Sequence, residues 1–541
     1  MQFVHFILAL APIIWLMVAL SVLKMPGYKA CIITVIITAI ESVAIWKFNP
    51  VFMLTAALEG ALNALWPICL VIVAALFTYN LSLETGAMEK IKKMLASVST
   101  DQRVLALLIA WAFGHFMEGM AGFGTAVAIP AGILIALGME PLPVVVGCLV
   151  VNSMPTAFGS VGVPTTTISN ITGLDVVKLS GDTAKIELLI FAMLPFFLIF
   201  IIGKGFKAFK GMIGMIIVAL VSFLLPMFIF ATFVGPELPD IIGAICSMVA
   251  IVVFARMRKG EVPEEYRAKA TQSADSEGSL TLKEAVIAWA PFLLIFVLLV
   301  LTSLVPFIKQ PLSAIKSSFH IYLGNPDSKL TFAWVNTPGV IIIISAVIGG
   351  LIQGASVNTL LSVFGRTVKN NVKTIVTIMS VLATAKIMGY AGMTPDIAAF
   401  LVTATGKYFP FISPLIGTLG GFVTGSGTST CVLFGPMQAE TAAAIGSDPS
   451  WLVASNTCGA GIGKMISPQG IAIGAASAGL TGQESTILSR AIKYCVVFVV
   501  VAGVLCLVTF GGAALVYLVL WLVLPCEQEP AQYGRDPHRN L

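Results

Sequence analysis

Long apolar runs separated by short polar breaks recur from one end of the sequence to the other. They fall near 3–23, 28–46, 64–82, 103–121, 141–160, 187–203, 211–232, 238–256, 285–308, 336–353, 374–391, 409–424, 449–466 and 488–510, each close to the ~20 helical residues that cross a bilayer core. Two further stretches, 122–138 and 428–445, are shorter and rich in Gly, Thr and Pro, and either cross or enter and return. A last apolar piece, 513–524, follows the Gly511-Gly512 break. Runs such as Ile32–Ile40 and Val496–Leu505 are continuously apolar, without the alternation of a membrane β-strand, which leaves helices as the spanning element. The first 23 residues carry no Lys or Arg before Lys24 and lead straight into a second run from Ala30, so they read as a first transmembrane helix and not a leader. The pattern predicts an all-α polytopic membrane protein with about 12 to 16 membrane-embedded segments.

Composition agrees: 58% of the 541 residues are hydrophobic and 11% charged, against roughly a quarter charged in soluble domains. The net charge of +5 does not imply nucleic acid, because the basic residues sit in short clusters between apolar runs. Lys24/Lys29, Lys90/Lys92/Lys93/Arg103, Lys204/Lys207/Lys210, Arg256/Arg258/Lys259 and Arg366/Lys369/Lys373 can all be cytoplasmic if the N-terminus is outside, which also places the 309–335 loop outside. Nine scattered cysteines without a CxxC pair suggest neither metal nor redox chemistry. Gly119-x-x-Gly122-x-Gly124 lacks a βαβ context, and neither HExxH nor GxxxxGK[ST] occurs. These features point away from an enzyme, a cofactor, a metal or an ATP-driven pump, and towards coupling to an ion gradient.

The polar stretch 257–283 carries both charge signs and reads as a cytoplasmic linker between membrane halves 1–256 and 284–541. A repeat spans it. Gly122-Phe123-Gly124-Thr125 matches Gly425-Ser426-Gly427-Thr428, and Asn152-Ser153 matches Asn456-Thr457. Pro164 follows Asn152 by the same twelve positions that separate Pro468 from Asn456, and the offset drifts only from 303 to 304. Small residues are common in membrane helices and explain any one match, but not the ordered set. The repeat regions, 103–164 and 409–468, start from opposite sides on the span count, as inverted repeats with broken helices or re-entrant hairpins do. Alternating access follows from such pairs, and helix N-termini at the breaks favour an anion.

Ionisable residues at membrane depth are expensive and hence candidates for function. His115 and Glu118 share one helical face. A carboxyl such as Glu118, desolvated among Phe, Met and Gly, can bind and release a proton in the physiological range, the chemistry of a proton-coupled symporter. Glu118 with His115 as partner is the expected proton-coupling site. Lys464, among glycines, suits a carboxylate, with snorkelling to the interface as the plainer reading. Lys386 and Glu440 are secondary candidates. Hydroxyl and amide groups crowd the repeat, and Gly124, Thr125, Asn152, Ser153, Ser426, Thr428, Asn456 and Thr457 join Lys464 as expected substrate contacts.

The segments FGHFMEGMAGFGTAVAIPAG (113–132), VNSMPTAFGSVGVP (151–164), GGFVTGSGTSTCVLF (420–434) and ASNTCGAGIGKMISPQGIAIGAA (454–476) resemble the hallmark stretches of the bacterial L-lactate permease family. The resemblance implies uptake of L-lactate, and often D-lactate and glycolate, in symport with protons across the bacterial cytoplasmic (inner) membrane. The family belongs to a wider grouping in which paired Ser-Asn-Thr motifs near hairpin tips contact carboxylates. Ser455-Asn456-Thr457 fits that pattern, whereas Val151-Asn152-Ser153 departs from it at two positions. The expected partners are thus a small 2-hydroxy monocarboxylate, protons and membrane lipid, with no nucleic acid. A sodium-coupled carrier of another small organic anion is the alternative, since freed carbonyls with Asn and Ser/Thr also suit Na⁺. A membrane-embedded enzyme and a channel are more distant rivals.

Overall fold

The computed structural model describes every residue except 1, 22, 24, 121, 123, 259–261, 269–280, 327, 481 and 509–541. The expectations for Lys24, Lys259, the Gly511-Gly512 break and the 513–524 piece lie outside the described residues. Among those described, ten helices are long and apolar enough to cross a membrane, and four shorter apolar helices accompany them. That matches a polytopic all-α architecture. Helices begin where the chain supplies caps: Asn49 accepts from the Val51 amide ahead of Pro50, Asp448 from the Ser450 amide ahead of Pro449, and Thr281 forms a capping box with Glu284.

Several boundaries differ from the sequence expectation. The run expected at 64–82 starts at Pro50 and continues to Glu84, with a cis Trp66–Pro67 peptide where it bends. The run expected at 374–391 is the end of a 35-residue helix, Val357–Ala391, whose first turns carry polar residues. Helix Met393–Thr405 had no expected counterpart. In the 309–335 loop, strands Lys316–Phe319 and Leu330–Ala333 pair antiparallel, with Lys316 opposite Ala333. Within the expected linker, Ala268 donates to the Thr100 carbonyl at 2.8 Å and Arg103 stacks on Tyr266 at 4.1 Å, so residues 262–268 dock on the loop before helix Gln102–Met120.

Each of the two short Gly-rich stretches forms the second arm of a helical hairpin. Helix Gln102–Met120 is followed, past Gly122 and Gly124, by the returning helix Thr125–Ala136; a Cβ on Gly114 would stand 3.6 Å from the Ala126 carbonyl and 3.7 Å from Pro130. Helix Phe409–Thr424 turns at Gly425-Ser426 and comes back as Gly427–Ala444, so close that a Cβ on Gly420 would lie 2.5 Å from Thr430 and 2.7 Å from Phe434. Each hairpin is followed by a broken helix. Pro141–Val151 continues through a short 3₁₀ turn into Gly159–Thr172, and Pro449–Lys464 breaks before Pro468–Ser477. The left-handed residues Ser160, Val161 and Gly162 correspond, at the repeat offset, to 464–466, overlapping the break at 465–467 in the second copy. Tip glycines Gly122 and Gly425, also one offset apart, share left-handed φ values of +60° and +63°.

Helices Val176–Ile202, Ile213–Phe233, Pro239–Met257 and Glu484–Val508 pack around these hairpins and broken helices. A second group lies beside them. Gly27–Ala44 and Pro50–Asn63 pack along Val357–Ala391, and Leu282–Leu304 packs on Pro338–Ile352. Glycine sets these approaches: a Cβ on Gly60 would lie 2.6 Å from the Leu382 carbonyl.

Candidate functional site

The hairpin tips and helix breaks of both copies meet around one cavity of about 560 Å³. Three helix N-termini open onto it, because Gly124, Ser426 and Gly427, and Pro468 and Gln469 all line it while heading Thr125–Ala136, Gly427–Ala444 and Pro468–Ser477. Their dipoles place partial positive charge at the wall. The tips cross over. A Cβ on Gly124 would meet Ile473 at 2.6 Å, in the other copy, while Gly427 faces Thr156 of the first.

The charged centre of the cavity is an ion pair between the Lys464 ammonium and Glu118 Oε1, with side chains 13% and 4% exposed. Glu118 sits in the last turn of Gln102–Met120 and Lys464 ends Pro449–Lys464, so the pair fastens one repeat to the other. Gly159 leaves room for it, since a Cβ there would approach Glu118 Oε1 to 2.9 Å. The second Glu118 oxygen, Oε2, is buried and has no hydrogen-bond partner among the described residues. Lys464 therefore does not snorkel away; it faces an acid across the cavity wall.

Of the other expected contacts, Gly124, Asn152, Ser426 and Thr428 line the cavity. Asn152 caps Pro141–Val151 and its Oδ1 is unpartnered among the described residues. Ser426 caps its helix, accepting from the Ser429 amide at 3.2 Å. Thr125 and Ser153 return their hydroxyls to the carbonyls of Gly122 and Val150, both at 2.7 Å. Asn456 and Thr457 lie inside Pro449–Lys464, fully buried against the second hairpin; Gln438 Nε2 reaches Asn456 Oδ1 at 3.5 Å and Thr457 bonds the Val453 carbonyl at 2.9 Å. None of these four lines the cavity.

The structure does not bring His115 to Glu118. Its Nδ1 is 2.5 Å from the Trp111 carbonyl and its ring packs against Trp111, Phe191 and Phe223. A three-residue spacing puts two side chains on one face without making them touch. Lys386 belongs to a separate cluster, 2.8 Å from Glu59, with Tyr390 donating to the same carboxylate at 2.8 Å. Glu440 is exposed and outside the cavity.

Sequence reasoning missed Gln469, Thr156, Ser160 and Lys373 in the wall, and the buried acids Glu59, Glu187 and Asp240. Glu59 lies between the expected runs 28–46 and 64–82, although Asn49-Pro50 is a helix-start signal. Asp240 and Glu187 stood at the edges of expected spans. No group of three or more metal-ligating side chains occurs among the described residues.

Comparison with known proteins places the chain among carriers. The family model described as L-lactate permease matches residues 5–511. An L-lactate permease of Streptococcus iniae is 41% identical over 449 residues, covering 83% of this chain and 93% of that protein. Glycolate permease GlcA of Escherichia coli (strain K12) is 33% identical over 542 residues, covering 93% and 95%. Among solved structures, Neisseria gonorrhoeae MtrF, of a class of antimetabolite efflux pumps, aligns with a TM-score of 0.50 at 12% identity, covering 91% of this chain and 96% of that one. That likeness concerns the fold alone.

Proposed function

The chain belongs to the L-lactate permease family, and from that membership and the cavity we propose that it imports L-lactate, and related 2-hydroxy acids such as D-lactate and glycolate, together with a proton. The observation that carries the reading is the Lys464–Glu118 pair facing a cavity ringed by helix N-termini. While Glu118 is ionised it occupies the ammonium. Protonation of Glu118 releases Lys464 for the substrate carboxylate, and Asn152, Ser426 and Thr428 are placed to hydrogen-bond the 2-hydroxyl. Loading an anion alone, or a proton alone, leaves an uncompensated charge in a poorly solvated site, which is costly. Loading both keeps the site neutral, and this linkage is what makes the two move together. The hairpin and broken-helix copies, read as inverted repeats with 257–283 between two membrane halves, supply the inward- and outward-facing arrangements, by elevator or rocking motion.

The test is uptake of labelled L-lactate into proteoliposomes under separately imposed pH and sodium gradients, with unlabelled acids as competitors. Accumulation driven by the pH gradient and competed by glycolate and D-lactate is expected, and Glu118→Gln is expected to abolish it while the protein stays folded. Accumulation that follows only sodium, or that survives intact in Glu118→Gln, would refute the proton role.

A further inference from the structure

The acids with least compensation lie one helix behind the cavity. Asp240, in the first turn of Pro239–Met257, is 1% exposed, and Glu187, midway along Val176–Ile202, is 0% exposed. None of their four carboxyl oxygens has a hydrogen-bond partner among the described residues. Asp240 stands within electrostatic reach of both Glu118 and Lys464, and Glu187 within reach of Asp240. Gly119, next to Glu118, permits this approach: a Cβ there would lie 3.0 Å from the Asp240 Cβ. The helices thus line up three acids from the cavity inwards.

Among the described residues, the other titratable groups around them supply no compensating charge: Lys185, two positions before Glu187, is paired with Asp182 at 2.8 Å. The Ile213–Phe233 helix packed on Pro239–Met257 has no titratable side chain, Glu237 faces Lys309, and His115 is enclosed by Trp111, Phe191 and Phe223. Near Glu187 stand the thiols Cys431 and Cys458. One ammonium therefore serves three carboxyl groups, and Glu118 already holds it. An ionised carboxylate buried without a partner is strongly disfavoured, which favours the neutral form of Asp240 and Glu187 in this arrangement.

We propose that Asp240, backed by Glu187, is the internal proton partner of Glu118. The proton leaves the Asp240 carboxyl for the Glu118 carboxylate, and Lys464 shifts its ion pair from Glu118 to the new Asp240 carboxylate. The net charge of the trio is unchanged by this step. A proton taken up through Glu187 then restores neutral Asp240 and leaves Lys464 free for the substrate, so one proton has been added in all. The inference rests on the proton-coupled reading above, and extends the proton-handling site beyond the residues that touch the cavity.

Asp240→Asn and Glu187→Gln keep shape and remove the exchangeable proton. In proteoliposomes the ratio of pH-driven lactate accumulation to lactate–lactate exchange is expected to fall at least tenfold in Asp240→Asn, because exchange needs no net proton transfer. A structural role would lower both together. A ratio within twofold of wild type in Asp240→Asn would overturn the proposal, whereas wild-type uptake indifferent to the pH gradient would overturn the underlying reading instead. Should Asp240→Asn not fold, infrared difference spectra of the wild type with isotopically labelled aspartate decide: a lactate-induced change in a protonated aspartate band is expected, and its absence would refute the role.

Discussion

Replacing Lys464 by methionine removes the cation that Glu118 holds and leaves a buried carboxyl facing the cavity. Breaking a buried pair by deleting one partner costs about 3–5 kcal/mol. Here the lysine is 13% exposed and the acid 4%, so the deletion that strands the acid should cost about 3 kcal/mol, more than a hundredfold in the folded-to-unfolded ratio. Glu118→Gln strands the ammonium, whose long stem can lean into the cavity, and should cost about 1–2 kcal/mol. The double variant, with no charge left to bury, should come within about 1 kcal/mol of wild type, giving a coupling energy of about 3–5 kcal/mol. Reversible unfolding in mixed micelles, followed by tryptophan fluorescence, measures all four proteins, and lactate uptake runs alongside. All three variants should lose driven uptake. If the double variant is as unstable as the two single losses added together, the side chains are energetically independent and the ion pair is not the centre of the site.

Gly425→Ala puts a Cβ 2.6 Å from Gln469 Oε1 at a residue with φ +63°, which should cost about 1–2 kcal/mol and raise the KM for lactate, read from initial uptake rates. Arg103→Lys loses the fork that binds both Asp101 oxygens at 2.8–3.0 Å and the carbonyls of Ala208 and Lys210; a loss of about 2–3 kcal/mol in unfolding, with lactate affinity retained, is expected. Lys386→Met, paired with Glu59 outside the cavity, should likewise lower stability by about 3 kcal/mol and leave the order of acid competition unaltered in counterflow.

The membrane architecture was legible because a bilayer imposes one periodic demand on every spanning helix. The interruptions at Gly122, Gly124, Gly425 and Ser426 were legible, though not that the chain turns back there; left-handed or close-packed backbone is the physical reason the glycines stand there. Lys464 and Glu118 showed as charges in apolar surroundings, yet nothing in a linear pattern reveals that they pair across 346 positions. Asn456 and Thr457 had the residue types of a binding motif, but helical phase turns them onto the second hairpin. Glu187 and Asp240 escaped notice because burial depends on which helices pack against a span end, a tertiary property that hydropathy does not carry.

In the proposed cycle Glu118 and Lys464 link one proton to one anion. Simultaneous recording of labelled L-lactate entry and external alkalinisation in proteoliposomes free of sodium tests this directly. One proton per lactate in the wild type is the predicted result; lactate entry with no accompanying proton would contradict it.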